Sequence, residues 1–168
     1  MRRLMFLCLL LIMPLFAHAL EEGEKVPSLV LDQINSNGVR AAHSITARDA
    51  RARTGYKVLE FFSTTSPASQ RNLPVISELA NEFKDQVTFR LISVDRDSQK
   101  VRNYISQNRS LVHYDVALDY NRKAVGIFNI RYVPILFVLD ENDRIVIKIN
   151  GVISSGDKNQ LRQLFNNE

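Results

Sequence analysis

The apolar positions of this chain change period several times, and each change marks an element. Between Lys57 and Phe62 they are nearly continuous: Val58, Leu59, Phe61 and Phe62, with Glu60 set among them. A run of that length predicts a central strand covered on both faces. From Pro67 the spacing lengthens. Leu73, Ile76, Ala80 and Phe83 recur at three- and four-residue steps, widened by Val75 and Leu79. That is the stripe of an amphipathic helix, and Pro74 inside it predicts a kink. Val87 to Val94 is a further strand. Asp97 or Ser98 then caps a helix using Val101, Tyr104 and Ile105, and Asn121 to Asn129 predicts another around Ala124, Val125 and Phe128. Ile135 to Leu139 is a short buried strand, Asn142-Asp143 a tight turn, Arg144 to Asn150 the return strand. Ser154 to Asp157 opens a closing helix marked by Leu161, Leu164 and Phe165.

Before the central strand the pattern is looser. Val26 to Ile34 alternates around Leu29 and Leu31. Asn37-Gly38 predicts a hairpin because both types tolerate positive φ, and Val39 to Ser44 is the returning strand. Thr46 to Arg53 reads as a short helix with Thr46 as its cap and Asp49 in its first turn. Alternation of strand and helix in the first half implies a parallel crossover, and the two last strands an antiparallel pair. The expected class is α/β: a sheet of mixed direction, helices on both faces and an N-terminal hairpin.

The first residues follow another logic. Arg2 and Arg3 precede an apolar run from Leu4 to Phe16, and Ala17-His18-Ala19 is a small-residue cleavage signal. Residues 1–19 are read as a secretory leader and 20–168 as a single domain. The run is shorter than the roughly 20 residues of a membrane-spanning helix, so membrane attachment is expected only through an uncleaved leader. Cys8 lies inside the run and is the sole cysteine of the 168 residues. The exported domain then has no thiol. Losing Arg2 and Arg3 takes the basic side chains from 22 to 20 against 18 acidic ones, too even a balance to imply nucleic acid.

With the elements ordered, the chain resembles the thioredoxin superfamily, and within it the TlpA-like branch of periplasmic thiol–disulfide proteins grouped with cytochrome c maturation factors. Gly23 through Leu31, with Val26-Pro27, is similar to that branch's opening strand, and Asn37-Gly38 to its hairpin. Phe61-Phe62-Ser63-Thr64-Thr65-Ser66-Pro67-Ala68-Ser69 falls where the family has Phe-Trp-Ala-x-Trp-Cys-x-x-Cys. Pro74 matches its helix proline, Val94-Asp95 and Leu118-Asp119 two strand ends, Val133-Pro134 its cis-proline loop, and Gly151 the glycine after the last strand. The departure is that Ser66 and Ser69 stand where both redox cysteines belong.

That departure limits the chemistry. Exchange needs a thiolate attacking a disulfide sulfur, which a serine hydroxyl cannot replace. Ser66 before Pro67 reads more simply as an Ncap–N1 pair, with Ser69 a small polar residue at N3. A serine nucleophile would need a base, and His43 and His113 are remote in sequence. An anion site at the helix start is the generic third possibility. Glu60 stands where the resemblance implies a buried acid beneath the cysteines; it is read either as a remnant or groove-lining charge, or as a strand residue facing a polar loop or paired with Lys57. The resemblance also implies that the backbone of Val133, before Pro134, pairs with an extended peptide, and that Thr65, Ser66, Pro67 and Tyr132, with Phe128 behind, complete the groove. No cofactor or metal is implied. Two functions follow: a redox-inactive periplasmic binding or assembly module holding a partner or unfolded client, or a thiol–disulfide oxidoreductase or antioxidant-class protein of the cytochrome-maturation-type branch.

Overall fold

The computed structural model describes residues 19–167; the expected leader with Cys8 and the expected cleavage signal at 17–19 lie outside that range except for Ala19. In chain order the elements are β1 (Val30–Asn35), β2 (Gly38–Ser44), β3 (Lys57–Phe62), α1 (Pro67–Glu82), β4 (Thr88–Ser93), α2 (Ser98–Gln107), β5 (Asp115–Leu118), α3 (Lys123–Ile127), β6 (Ile135–Leu139), β7 (Ile145–Asn150) and α4 (Ser155–Asn166). The strands form one sheet in the order β2-β1-β5-β4-β3-β6-β7. β3, β4 and β5 run parallel, and the flanking pairs are antiparallel.

β3 explains its own composition. All six of its residues are buried. Successive side chains point to opposite faces, so Val58 and Phe62 join a core under α1, α2 and α4, while Leu59 and Phe61 join a second core under α3 and the N-terminal segment. A strand with helices on one side only would show alternation; this one cannot. α1 spends its three- and four-step stripe on the first core through Leu73, Ile76, Leu79 and Ala80. Pro74 lies inside it on the exposed side, where its missing N–H leaves the Gln70 carbonyl to solvent. α4 opens on a reciprocal cap: Ser154 Oγ accepts from Asp157 N and Asp157 Oδ2 from Ser154 N.

Four features differ from the sequence reading. The hairpin is present, but its loop is Ser36-Asn37, not Asn37-Gly38. Asn35 pairs with Gly38, the Asn35 side chain accepts from Asn37 N at 2.9 Å, and Gly38 supplies the positive φ of 133° at the first residue of β2. Second, Thr46 to Arg53 is a chain of turns. The carbonyls of Ser44 and Ile45, just before the expected cap, and that of Ala47 within the segment accept from the guanidinium of Arg90 at 3.0, 2.6 and 3.4 Å. Asp49 turns back onto Arg51 N, and the N–H groups of Arg53 and Thr54 donate to Asp85 and Gln86. Third, β5 is an element of its own, four residues long and lying between β1 and β4. Fourth, the polar segment after Ala19, to which the sequence reading assigns no element, is paired. Gly23 N donates to Ile145 O at 2.7 Å and Ile145 N to Glu24 O at 3.0 Å, so it covers the outer edge of β7.

Candidate functional site

The site grows from the C-terminal end of β3. After Phe62 the chain turns through Ser63–Ser66 and starts α1. Ser66 has extended backbone (φ −85°, ψ 115°) and its Oγ accepts from Ser69 N at 3.2 Å, with Pro67 as the first helical residue. Ser69 is buried, and its Oγ accepts from Ser63 N at 3.3 Å. Both hydroxyl oxygens at the motif positions are therefore occupied by the backbone of their own loop. Replacing Ser66 by Ala should lower stability by about 1 kcal/mol, read by urea unfolding, since only the cap is lost; an unchanged midpoint would mean the bond contributes nothing. The anion site suffers from the same bond, because Ser69 N is already satisfied and Gln70 N donates to Ser66 O.

Asp95, just beyond β4, holds this turn in place. It accepts from Ser63 Oγ at 2.8 Å, Thr64 N at 2.8 Å and Ser93 Oγ at 2.9 Å. Thr65 at the tip is exposed, its hydroxyl 3.1 Å from that of Ser63. Sequence reasoning met Asp95 only as a strand end. The missed signal was the serine-rich turn itself, whose small donors need a common acceptor.

Glu60 is 1% exposed and faces the α1 side of the sheet. Its Oε1 accepts from Asn72 Nδ2 at 2.9 Å, and its Oε2 has no hydrogen-bond partner among the described residues. Burial pushes its pKa up to about 8, with the Asn72 bond pulling weakly the other way. At neutral pH it is mostly a neutral acid. It neither lines the groove nor pairs with Lys57. Three residues apart on one strand, the two side chains point to opposite faces, and Lys57 Nζ instead meets Asp143 Oδ1 at 2.8 Å. Asn72, fully buried, also donates to Gly151 O at 3.1 Å and accepts from Ile153 N at 2.9 Å. It ties β3, α1 and the segment after β7 together, and its polar side chain on the buried stripe of α1 was the sequence signal left unread.

The second half of the site precedes β6. The Val133–Pro134 peptide is cis. Phe61 pairs with Ile135, so the register brings Tyr132–Pro134 to the same end of the sheet as Thr65, Ser66 and Pro67. Tyr132 is exposed, Val133 half-buried and Pro134 buried with its carbonyl accepting from Gly151 N at 2.9 Å. The N–H and C=O of Val133 have no partner among the described residues. Phe128 belongs to the core rather than to a groove surface: its ring lies 4.9 Å from Phe61 and 5.1 Å from Phe137. His43 lies on β2, with three strands between it and β3, and His113 packs against Tyr114 before β5, at the opposite end of the parallel strands. Neither reaches Ser66. Among the described residues there is no cluster of three metal-binding side chains.

Comparison with known proteins bears on this geometry. A family model described as thioredoxin-like matches residues 56–145. The chain is 23% identical over 131 residues to the thiol-disulfide oxidoreductase ResA of Bacillus cereus, covering 77% of this chain and 69% of that protein. For ResA of Bacillus anthracis the figure is 22% over 130 residues, with the same shares. Among solved structures, the thioredoxin domain of a thiol-disulfide oxidoreductase from Bacteroides vulgatus superposes with a TM-score of 0.72 at 18% identity, covering 88% of this chain and all of that one. A protein described as a thiol:disulfide interchange protein DsbE from Chlorobium tepidum gives 0.69 at 17%, covering 86% and 95%. The mixed sheet, the paired loops at its end and the match over 56–145 agree: this chain belongs to the thioredoxin-like family.

Proposed function

We propose that this chain is an exported thioredoxin-like binding module that engages extended peptide or a partner protein without exchanging disulfides. One observation carries the reading. Ser66 and Ser69 occupy the motif positions with their oxygens engaged by backbone N–H groups, and the single cysteine of the chain, Cys8, lies in the leader. Thiol–disulfide exchange needs an attacking thiolate and a resolving one, and both are absent from residues 20–168. Export rests on the leader pattern, and no helix among the described residues is long and apolar enough to cross a membrane. The occupant is a periplasmic or secreted protein, held through the unpartnered Val133 backbone.

The names of the relatives favour a second reading, thiol–disulfide oxidoreductase activity, and Glu60 is the feature that supports it. The two readings separate in an insulin-reduction assay with dithiothreitol. Residues 20–168 should give no rate above the reductant alone; a rate above it would overturn the binding reading. The paired substitutions Ser66→Cys and Ser69→Cys should create activity, because a thiol at Ser66 would sit at the α1 N-terminus, where the helix field lowers its pKa. Binding itself is tested by suppression of aggregation of a heat-unfolded client protein. Val133→Asp should weaken that suppression severalfold, and an unchanged level would exclude the groove.

A further inference from the structure

We infer that the groove beside Val133 selects extended segments in which a small branched apolar residue is flanked, two positions away, by acidic residues. This rests on the binding reading above and specifies its occupant.

Beside the Tyr132–Val133 segment is a pocket of about 90 Å³. Its floor is Val94, Val125, Ile130 and Val133, all aliphatic and all at least half-buried. Its size suits a valine-like side chain and is too small for an aromatic ring. The rim is cationic: Arg122 and Arg131 both line it and both are exposed. Neither guanidinium has an ion pair or hydrogen bond among the described residues. The carboxylates nearest along the chain do not offset them. Asp95, next to Val94, accepts the three bonds that hold the Ser63–Ser66 turn. Asp119 is fully buried and accepts from Ala124 N at 2.9 Å and Val125 N at 2.8 Å. The positive charge at the rim is thus left for an external partner.

The open backbone of Val133 sets the direction of that partner. A segment pairing with it as a strand sends alternate side chains to opposite sides. If one residue fills the aliphatic pocket, those two before and two after it lie on the same side, over the rim. Carboxylates there meet Arg122 and Arg131, whereas lysines there are repelled. The intervening residues face away and are unconstrained.

The test uses fluorescein-labelled heptapeptides and residues 20–168: Gly-Glu-Ser-Val-Ser-Glu-Gly against Gly-Lys-Ser-Val-Ser-Lys-Gly, read by fluorescence anisotropy. The acidic peptide should bind about tenfold more tightly, the scale of two exposed ion pairs. The gap should close as salt rises to about 0.5 M, where exposed charges are screened. The double variant Arg122→Glu with Arg131→Glu should reverse the preference and gain affinity for the lysine peptide, an outcome that a misfolded variant would not give. Equal binding of the two peptides, or preference for the basic one, overturns the charge selection and leaves the groove reading standing. Binding of neither peptide while client aggregation is still suppressed overturns the inference alone. Binding of neither, with no suppression, overturns both.

Discussion

Raising the pH from about 5 to about 8 is expected to cost residues 20–168 on the order of 3–4 kcal/mol of folding stability through Glu60 alone. In the folded chain its pKa is pushed from 4.5 to about 8 by burial. Between those values the unfolded chain has released the proton and the native chain still holds it. The native state binds more protons, so stability falls as pH rises across that window. Below 4.5 both states are protonated and the contribution is flat; above about 8 the native carboxyl ionises too and the loss is complete. The opposing carboxylate is Glu78, whose pKa Lys158 and Arg162 hold below its ordinary value. Its stabilisation is lost in acid, below the Glu60 window, and does not mask the slope. Glu60→Gln removes the titration while keeping the oxygen that accepts from Asn72. Urea unfolding across the pH range should therefore show a flattened profile for the variant, less stable than or equal to wild type near pH 5 and more stable near pH 8. A variant that keeps the wild-type slope would mean that Glu60 is hydrated or already ionised in the fold.

A buried acid of this kind is a liability in residues 20–168, which hold no thiol for it to serve. Its neighbours in the sheet register, Leu91 and Leu136, are apolar, and its one hydrogen bond among the described residues is the one it accepts from Asn72. On the binding reading, the acid position that the resemblance implies is filled, while the motif oxygens only cap and brace the loop. This is why restoring two sulfurs should suffice to restore exchange, and why their absence should suffice to abolish it.

How far this was legible from the sequence depended on whether a residue's role is local or long-range. β3, α1 and α4 were readable because their apolar periods are set by the layers they touch. Ser66-Pro67 was readable as a cap because its partner, Ser69 N, lies three residues on. Glu60 was legible as a buried acid only through the resemblance, and its surroundings were not legible, because they are made by Asn72 from a helix, Gly151 from a loop and neighbours on two strands, none of which a local pattern reveals. The turn over Asn37-Gly38 slipped by one residue because the Asn35 side chain closes the loop from the strand end. Thr46 to Arg53 has the composition of a helix, but a helix of eight residues is marginal in isolation, and a side chain over forty residues away binds the carbonyls just before it and that of Ala47 within it.

That side chain gives the second large effect. Arg90→Met is expected to destabilise residues 20–168 by about 3–5 kcal/mol, because it leaves the buried carbonyl of Ile45 without its donor and takes a charged donor from those of Ser44 and Ala47. The ion pair of Arg90 with Asp115, at 3.1 Å, contributes little of this, since Asp115 is half exposed and water screens it. Volume is nearly conserved, so a cavity is not the cause. Arg90→Lys separates charge from geometry. In the guanidinium Nη1 serves the three carbonyls while Nη2 reaches Asp115; an ammonium is one donor centre on a shorter stem and cannot occupy both positions, so the lysine variant should recover only part of the loss. Hydrogen exchange should place the damage: amides of residues 45–54 lose protection first, while those of β3 and α1 keep theirs until global unfolding. A methionine variant within 1 kcal/mol of wild type, or a lysine variant equal to it, would mean that the turn satisfies its own carbonyls. The effect matters for the site because Arg90 lies in β4, whose end carries Asp95. If the 45–54 segment frays without moving Asp95, client binding should survive at temperatures where the variant is still folded, which marks this arginine as a stabiliser of the scaffold rather than of the groove.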